Sequence, residues 1–304
     1  MRAFLLITLA LTAGAFAQTN LHLKDGRILS AKQLRRDKDT IIATLEIPPK
    51  EQGGQPTKGD FGFAITDIFK LEFPKPAVLD TAPELIADGK AAEALDKIEP
   101  VLKYYAGFRD APGSWWVDLV PLQVEALLAL RRDKEAGDVS EQFTRLATDP
   151  EVKKFMKAFS AVSLTRKGEH QAALALYDEA ALATERTDVL GLIAVNKGES
   201  LVALADALAA KGEPEVAAVR YEEALLSFLR IPALYRTQRM FMAQATYGTA
   251  QAYLGMRDFD RARLAVKELK ASYAATPEAK AAEEFSRKIE KRAALLAEPA
   301  AEKK

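Results

Sequence analysis

The chain has 304 residues, 49% of them apolar and 28% charged, which is long enough for two modest domains and too apolar for disorder. Its 43 basic residues balance 43 acidic ones, so the formal charge of zero argues against broad electrostatic capture of nucleic acid or anionic lipid. Cysteine is absent, which excludes a disulfide framework, thiol chemistry and zinc–thiolate sites.

Residues 1–17 read as a signal peptide. Arg2 supplies the positive start, Phe4 to Leu11 a short apolar run, and Ala15, Phe16 and Ala17 a small-x-small cleavage signal. The run is too short to span a bilayer comfortably. Cleavage after Ala17 would leave a secreted chain with no transmembrane segment, and the expected setting is the periplasm of a bacterium.

Residues 18–76 lack helical texture and are expected to form a small, partly open β-barrel-like module of about four or five strands. Asp25-Gly26 between short apolar runs signals a hairpin, and TIIATLEI (40–47) is a β-branched strand. PPKEQGGQPTKG (48–59) is dense in Pro, Gly and polar residues and reads as a mobile loop. FGFAITDIFKLEF (61–73) alternates well enough for one or two further strands. The opening LKDGR (23–27) resembles the first hairpin of small SH3-like or Sm-like modules. Asp60-Phe61-Gly62 matches a kinase metal-binding triplet, but neither a catalytic-loop His-Arg-Asp nor a glycine-rich loop accompanies it, so it reads as strand. His22 has no second histidine nearby to share a metal and reads as a half-exposed strand residue. No metal or other cofactor is expected.

Residues 77–292 are rich in Ala, Leu, Glu, Lys and Arg at helical spacing, and the pattern repeats. GEHQAALALYDEA (168–180) aligns with GEPEVAAVRYEEA (212–224) and with RDFDRARLAVKEL (257–269). GKAAEALDKIEPV (89–101) follows the same template, and Lys134 to Leu146 follows it loosely. A small residue anchors each copy: Ala94, Val139, Ala173, Ala217 and Ala262. Four positions on stand Ile98, Phe143, Tyr177, Tyr221 and Val266, and three further Val101, Leu146, Ala180, Ala224 and Leu269. Offsets of four and three put each set on one helical stripe, where small residues admit a neighbouring helix and large ones fill the groove. The preceding helices carry matching apolar positions, such as Leu201, Leu204, Ala205 and Leu208 ahead of Gly212. The unit is an antiparallel pair of helices.

This pattern resembles the tetratricopeptide repeat over roughly residues 80–290, and the last copy resembles repeats of bacterial cell-envelope assembly proteins. The resemblance implies a mainly α chain: an α-α superhelix of antiparallel helix pairs following the small N-terminal β module. It also implies a concave groove, lined by the first helix of each pair, that holds another protein or peptide. Carried onto this chain, the groove positions are Phe155, Phe159, Glu199, Asp206, Tyr247 and Gln251. Anchor spacings of 45, 34, 44 and 45 depart from the family's period of about 34 residues, so the array should be irregular, with an unusually long helix over Thr187–Ala210. Residues 293–304 form a short, polar tail expected to fray.

Two further segments carry recognition chemistry. Trp115 and Trp116 enter a helix after a turn and would stack on a sugar or clamp a peptide, or else pack in the core. Arg236 and Arg239 stand among Tyr235, Phe241 and two methionines, which suits an acidic or aromatic peptide, or else an amphipathic helix with a charged outer face. No catalytic constellation is evident: Asp178 and Glu179 are helix neighbours pointing about 100° apart, and His170 fills a repeat position. The expected function is a secreted scaffold for protein–protein interaction in cell-envelope assembly, with self-association through uncapped array ends open to it. The alternative is a carbohydrate- or peptidoglycan-binding module using Trp115 and Trp116.

Overall fold

A computed structural model describes residues 18–49, 55–148 and 150–297. The signal-peptide segment and residues 298–304 of the tail lie outside the described residues. The chain divides into two compact units, one reaching to Lys75 and including Ala111–Ser114, the other comprising Pro76–Asp110 and the chain from Trp115 onward.

The first unit is a five-stranded antiparallel sheet in the order β4-β3-β2-β1-β5. Its strands are β1 (Thr19–Leu23), β2 (Ile28–Asp37), β3 (Thr40–Ile47), β4 (Thr57–Ala64) and β5 (Ile68–Glu72). It is not closed into a barrel: β4 and β5 are the two edges of an open sheet. The expected loop 48–59 is shorter than its composition suggests, because β4 already pairs with β3 from Thr57 onward. The run 61–73 splits at a single 3-10 turn, Ile65–Asp67. One face is apolar, built from Leu21, Leu23, Ala31, Leu34, Ile41, Ala43, Ile68 and Leu71. A bulge between Ala31 and Gln33 shifts the phase of β2, so that Leu34 rather than Gln33 is buried. Edge strand β5 is partly capped, since Leu71 donates its N–H to the Pro112 carbonyl at 2.8 Å. Asp60 lies on β4 and accepts from Thr44 at 2.7 Å and Arg35 at 3.3 Å, which is cross-strand pairing of an ordinary strand residue. His22 pairs with Glu72 of β5 at 3.1 Å.

The second unit holds eleven α-helices among the described residues. They are α1 (Val78–Ala87), α2 (Ala91–Ala106), α3 (Trp116–Ala129), α4 (Asp133–Leu146), α5 (Pro150–Arg166), α6 (His170–Ala183), α7 (Thr187–Ala210), α8 (Pro214–Leu234), α9 (Met242–Gly255), α10 (Phe259–Ser272) and α11 (Pro277–Ala297). The first ten form five successive pairs, and one turn geometry recurs in all five. A residue with positive φ closes the first helix: Gly89, Arg131, Gly168, Gly212 and Arg257. The residue after it donates to the carbonyl five positions back at 2.8–3.0 Å (Lys90 to Leu85, Arg132 to Leu127, Glu169 to Leu164, Glu213 to Leu208, Asp258 to Tyr253). The left-handed residue itself donates three positions back at 3.0–3.1 Å. Together these bonds are the Schellman cap, which satisfies helix carbonyls that would otherwise be orphaned.

This regularity corrects the register of the second pair. Its left-handed residue is Arg131, so the anchor is the fully buried Ala136 and not the half-buried Val139. Ser140 and Phe143 follow on the buried stripe, and the anchor spacings become 42, 37, 44 and 45 residues. In the other pairs Ala94, Ala173, Ala217 and Ala262 are buried as the spacing requires, with Ile98, Tyr177, Tyr221 and Val266 beside them. The longer spacings around the fourth pair go into helix length: α7 has 24 residues and α8 has 21. The two long helices and α9 meet at Phe228, which is fully buried against Gly198 and Gly248. A Cβ on Gly248 would lie 2.2 Å from the ring, so the backbones must approach without one.

Within this unit the array turns back on itself. Helix α1 meets the 3-10 turn Arg239–Phe241 ahead of α9. Arg239 pairs with Glu84 and, at 3.8 Å, with Asp88. At the α1–α2 turn, Gly89 packs so close to Ala275 that a Cβ would stand 2.5 Å from its carbonyl oxygen. Helix α11 covers the last pair through Ala282, Phe285 and Ile289, and continues to Ala297, past the boundary expected at residue 292.

Candidate functional site

Closure leaves a polar interior between the first helices of the pairs. Two cavities of about 250 and 280 Å³ lie there, and both are lined by Arg131, Arg166, Glu199, Gln244 and Glu278. Arg166, the last residue of α5, organises the site. Its Nη2 donates to Asn196 Oδ1 and to Glu199 Oε2, both at 2.5 Å, and its Nη1 reaches Asp133 Oδ1 at 3.4 Å. Burial opposes the guanidinium charge, but the neighbouring Glu199 carboxylate holds it above its ordinary value. The other oxygen of Glu199 accepts from Gln244 Nε2 at 2.5 Å, which ties α9 to α7 and α5. Asn196 is held in place by donating to the Leu192 carbonyl at 2.9 Å. Beside this network, Thr165 Oγ1 meets both Tyr177 Oη and Ser200 Oγ at 3.0 Å, joining α5, α6 and α7 through buried hydroxyls.

Glu125 of α3 completes the site. It is 4% exposed, and its Oε1 has no hydrogen-bond partner among the described residues. Burial pushes its carboxyl up to about 8, with Arg166 pulling against the rise and Glu199 adding to it. At neutral pH this carboxyl therefore keeps its proton. Arg166 Nε, Ser163 Oγ and His170 Nδ1 are likewise buried without a partner among the described residues. Burial, with Arg166 nearby, lowers the His170 imidazole below its usual range. At the rim Arg131 pairs with the 7%-exposed Glu278 at 3.3 Å. The arrangement supplies recognition chemistry, namely donors, acceptors and charges held on rigid helices around a small cavity.

Four of the positions expected from the repeat come together here: Glu199, Asp206, Tyr247 and Gln251 all line the 280 Å³ cavity. Asp206 accepts from the Tyr221 hydroxyl, and the Tyr247 ring packs on Phe285 with centroids 5.3 Å apart. Phe155 and Phe159 do not join them. Both are buried in a stack that runs from Trp116 through Phe143, with centroid separations of 5.1, 4.8 and 6.4 Å. Arg186 lies over Phe155 at 4.9 Å. Trp116 is 5% exposed in that stack and borders a separate 350 Å³ groove with Glu99, Arg109 and Gln123. Trp115 is half-buried at the N-terminal cap of α3. Arg236 is exposed between α8 and α9, while Arg239 is engaged by Glu84 and Asp88. Residues 230–244 are not one helix, because α8 ends at Leu234 and a 3-10 turn precedes α9.

Glu125, Arg166, Asn196 and Gln244 are not among the positions expected from sequence. Glu125 does leave a signal there, as a lone charge inside the apolar run VDLVPLQVEALLAL (117–130). Among the described residues no group of three or more His, Asp or Glu is placed to hold a metal ion, and no helix is long and apolar enough to cross a membrane. No protein-family profile and no curated protein matches the chain.

Proposed function

We propose that the chain is a tetratricopeptide-type scaffold, secreted to the bacterial periplasm, whose helical array holds a segment of another protein in its polar interior. Five helix pairs closed by one recurring Schellman turn support the repeat reading. The observation that carries the binding reading is the interior itself. Buried polar groups are normally satisfied within a fold. Here Glu125 Oε1 and Arg166 Nε are left without partners among the described residues, beside a cavity on the inner helix faces. The envelope setting rests on residues 1–17 and on the style of the repeat.

Site-specific photo-crosslinking in cells tests this. A photoreactive side chain at Gln251, inside the cavity, is expected to trap one protein. The same group at Leu226, 67% exposed on α8, is expected not to trap it. Equal capture from both positions, or none from Gln251, would overturn the proposal.

A further inference from the structure

Helix α8 is apolar on two faces. Its inner stripe, with Ala217, Tyr221, Ala224, Phe228 and Ile231, is buried in the array. Its outer face carries Val216, Val219, Leu226, Leu229 and Leu234, each 38–67% exposed. Among the described residues no other helix has more than two large apolar side chains so exposed. At about 100° per residue, Val219, Leu226 and Leu229 fall within an arc of about 80°, and Val216 and Leu234 flank it. An apolar stripe of this kind is the form in which a helix meets another helix.

The charges on that face say which helix. Glu222 stands four residues before Leu226 and Arg230 four residues after it, and both are exposed. Arg220 and Glu223 pair with each other at 2.6 Å, whereas Glu222 and Arg230 have no ion pair among the described residues. The two lie about 12 Å apart along α8, too far to pair within it. A second copy of α8, laid antiparallel with a two-fold axis through Leu226, sets Glu222 of each copy opposite Arg230 of the other. The same axis sets Val219 opposite Ala233 and opposes the two helix dipoles. A parallel pairing would set Glu222 on Glu222 and Arg230 on Arg230. The formal charge of zero leaves no net repulsion between copies.

We infer that the outer face of α8 is a self-association surface, on which two copies of this chain pair antiparallel about Leu226. One helix per copy is a contact well below the roughly 1,600 Å² of a standard interface. The dimer should therefore be weak, with a dissociation constant on the order of 10–100 μM. The surface is separate from the polar interior, so the inference stands independently of the partner-holding reading. A photoreactive group at Leu226 would accordingly trap a second copy of this chain, a product distinct from the partner trapped at Gln251.

The test follows the full chain by sedimentation equilibrium from about 1 to about 200 μM. The parent should pass from monomer to dimer, and Leu226→Glu should stay monomeric with an unchanged melting temperature. Glu222→Arg and Arg230→Glu should each weaken self-association about tenfold, because each sets like charges together. A mixture of these two variants should recover the parent's affinity as a heterodimer. The absence of native cysteine gives a second readout. Helices packed about 8–10 Å apart bring facing Cα atoms to about 5 Å, so Leu226→Cys should form a symmetric disulfide on mild oxidation. Val219→Cys should crosslink to Ala233→Cys and not to itself. Leu182→Cys, 92% exposed on α6, controls for random collision. A parent that stays monomeric throughout, or a Leu226→Glu variant that dimerises like the parent, would overturn the inference. So would a mixture of the charge variants no tighter than either alone, or Leu226→Cys crosslinking no faster than Leu182→Cys. Self-crosslinking of Val219→Cys would show a parallel pairing and overturn the antiparallel one.

Discussion

The proton on Glu125 makes the stability of the array depend on pH in a direction opposite to ordinary salt-bridged carboxylates. The carboxyl sits near 8 in the folded chain and at its ordinary 4.5 when unfolded. Between these values the folded state binds more protons than the unfolded one, so raising the pH destabilises the fold. The cost is absent below about pH 4.5, grows above it and levels off above about pH 8. A tenfold difference in proton affinity is worth about 1.4 kcal/mol, so the full cost is about 5 kcal/mol, of which about 3 kcal/mol falls between pH 6 and pH 9. Glu125→Gln carries no titrating proton and should lose none of that portion. Urea unfolding of both proteins at pH 6, 7, 8 and 9 gives the difference directly, with the other titrating groups common to both. The variant should be about as stable as the parent at pH 6 and about 3 kcal/mol more stable than it at pH 9, beyond any constant offset. Parallel stability curves would refute the reasoning, because they would show that Glu125 is already ionised in the folded chain.

Replacing Arg166 with methionine leaves the half-buried Glu199 without its cation and should cost about 2 kcal/mol, seen as a lower urea midpoint. A loss under about 1 kcal/mol would mean that solvent already screens the pair. Phe228→Ala empties the space between Gly198 and Gly248 and should cost about 3–5 kcal/mol by the same measurement. Arg257 holds a left-handed φ of 64° that glycine adopts without strain, so Arg257→Gly should stabilise the chain by about 1 kcal/mol. A lower melting temperature for that variant would show that the Arg257 side chain contributes more than its backbone costs.

The helix pairs are legible where sequence and backbone agree most simply. A glycine takes the left-handed cap, an alanine lets the partner helix in, and a tyrosine fills the gap, as at Gly168, Ala173 and Tyr177. The second pair reads three residues out of register because arginine stands where three of the other four have glycine, and Ser140 where they all have a large side chain. Arg131 reveals its left-handed φ only in the folded backbone. In the sheet, Thr57 and Lys58 look like loop residues because an edge strand with exposed faces needs no apolar alternation. Four of the six positions that the repeat resemblance implies, Glu199, Asp206, Tyr247 and Gln251, do line a cavity, because they stand on the inward side of the long helix α7 and of α9. Phe155 and Phe159 escape that logic, as their rings pack into the stack with Phe143. The surroundings of Glu125 depend on contacts between α3, α5, α7 and α9, and no local pattern encodes such contacts.

The contact that brings Gly89 to Ala275 and Arg239 to Glu84 and Asp88 alters how the array can come apart. In an open solenoid each repeat touches only its neighbours, so terminal repeats melt first and the energy is nearly a sum along the chain. Here the first helix leans on the turn before α9, with Glu84 and Arg239 standing 155 positions apart. Opening either end breaks that long-range contact, so loss of α1 and disturbance of α9 become one event. Such coupling trades the stepwise unzipping of a linear stack for a single cooperative transition, and it slows folding by requiring a distant loop to close. Amide protons at the two ends of the array would then exchange with a shared free energy instead of the graded protection of a fraying ladder.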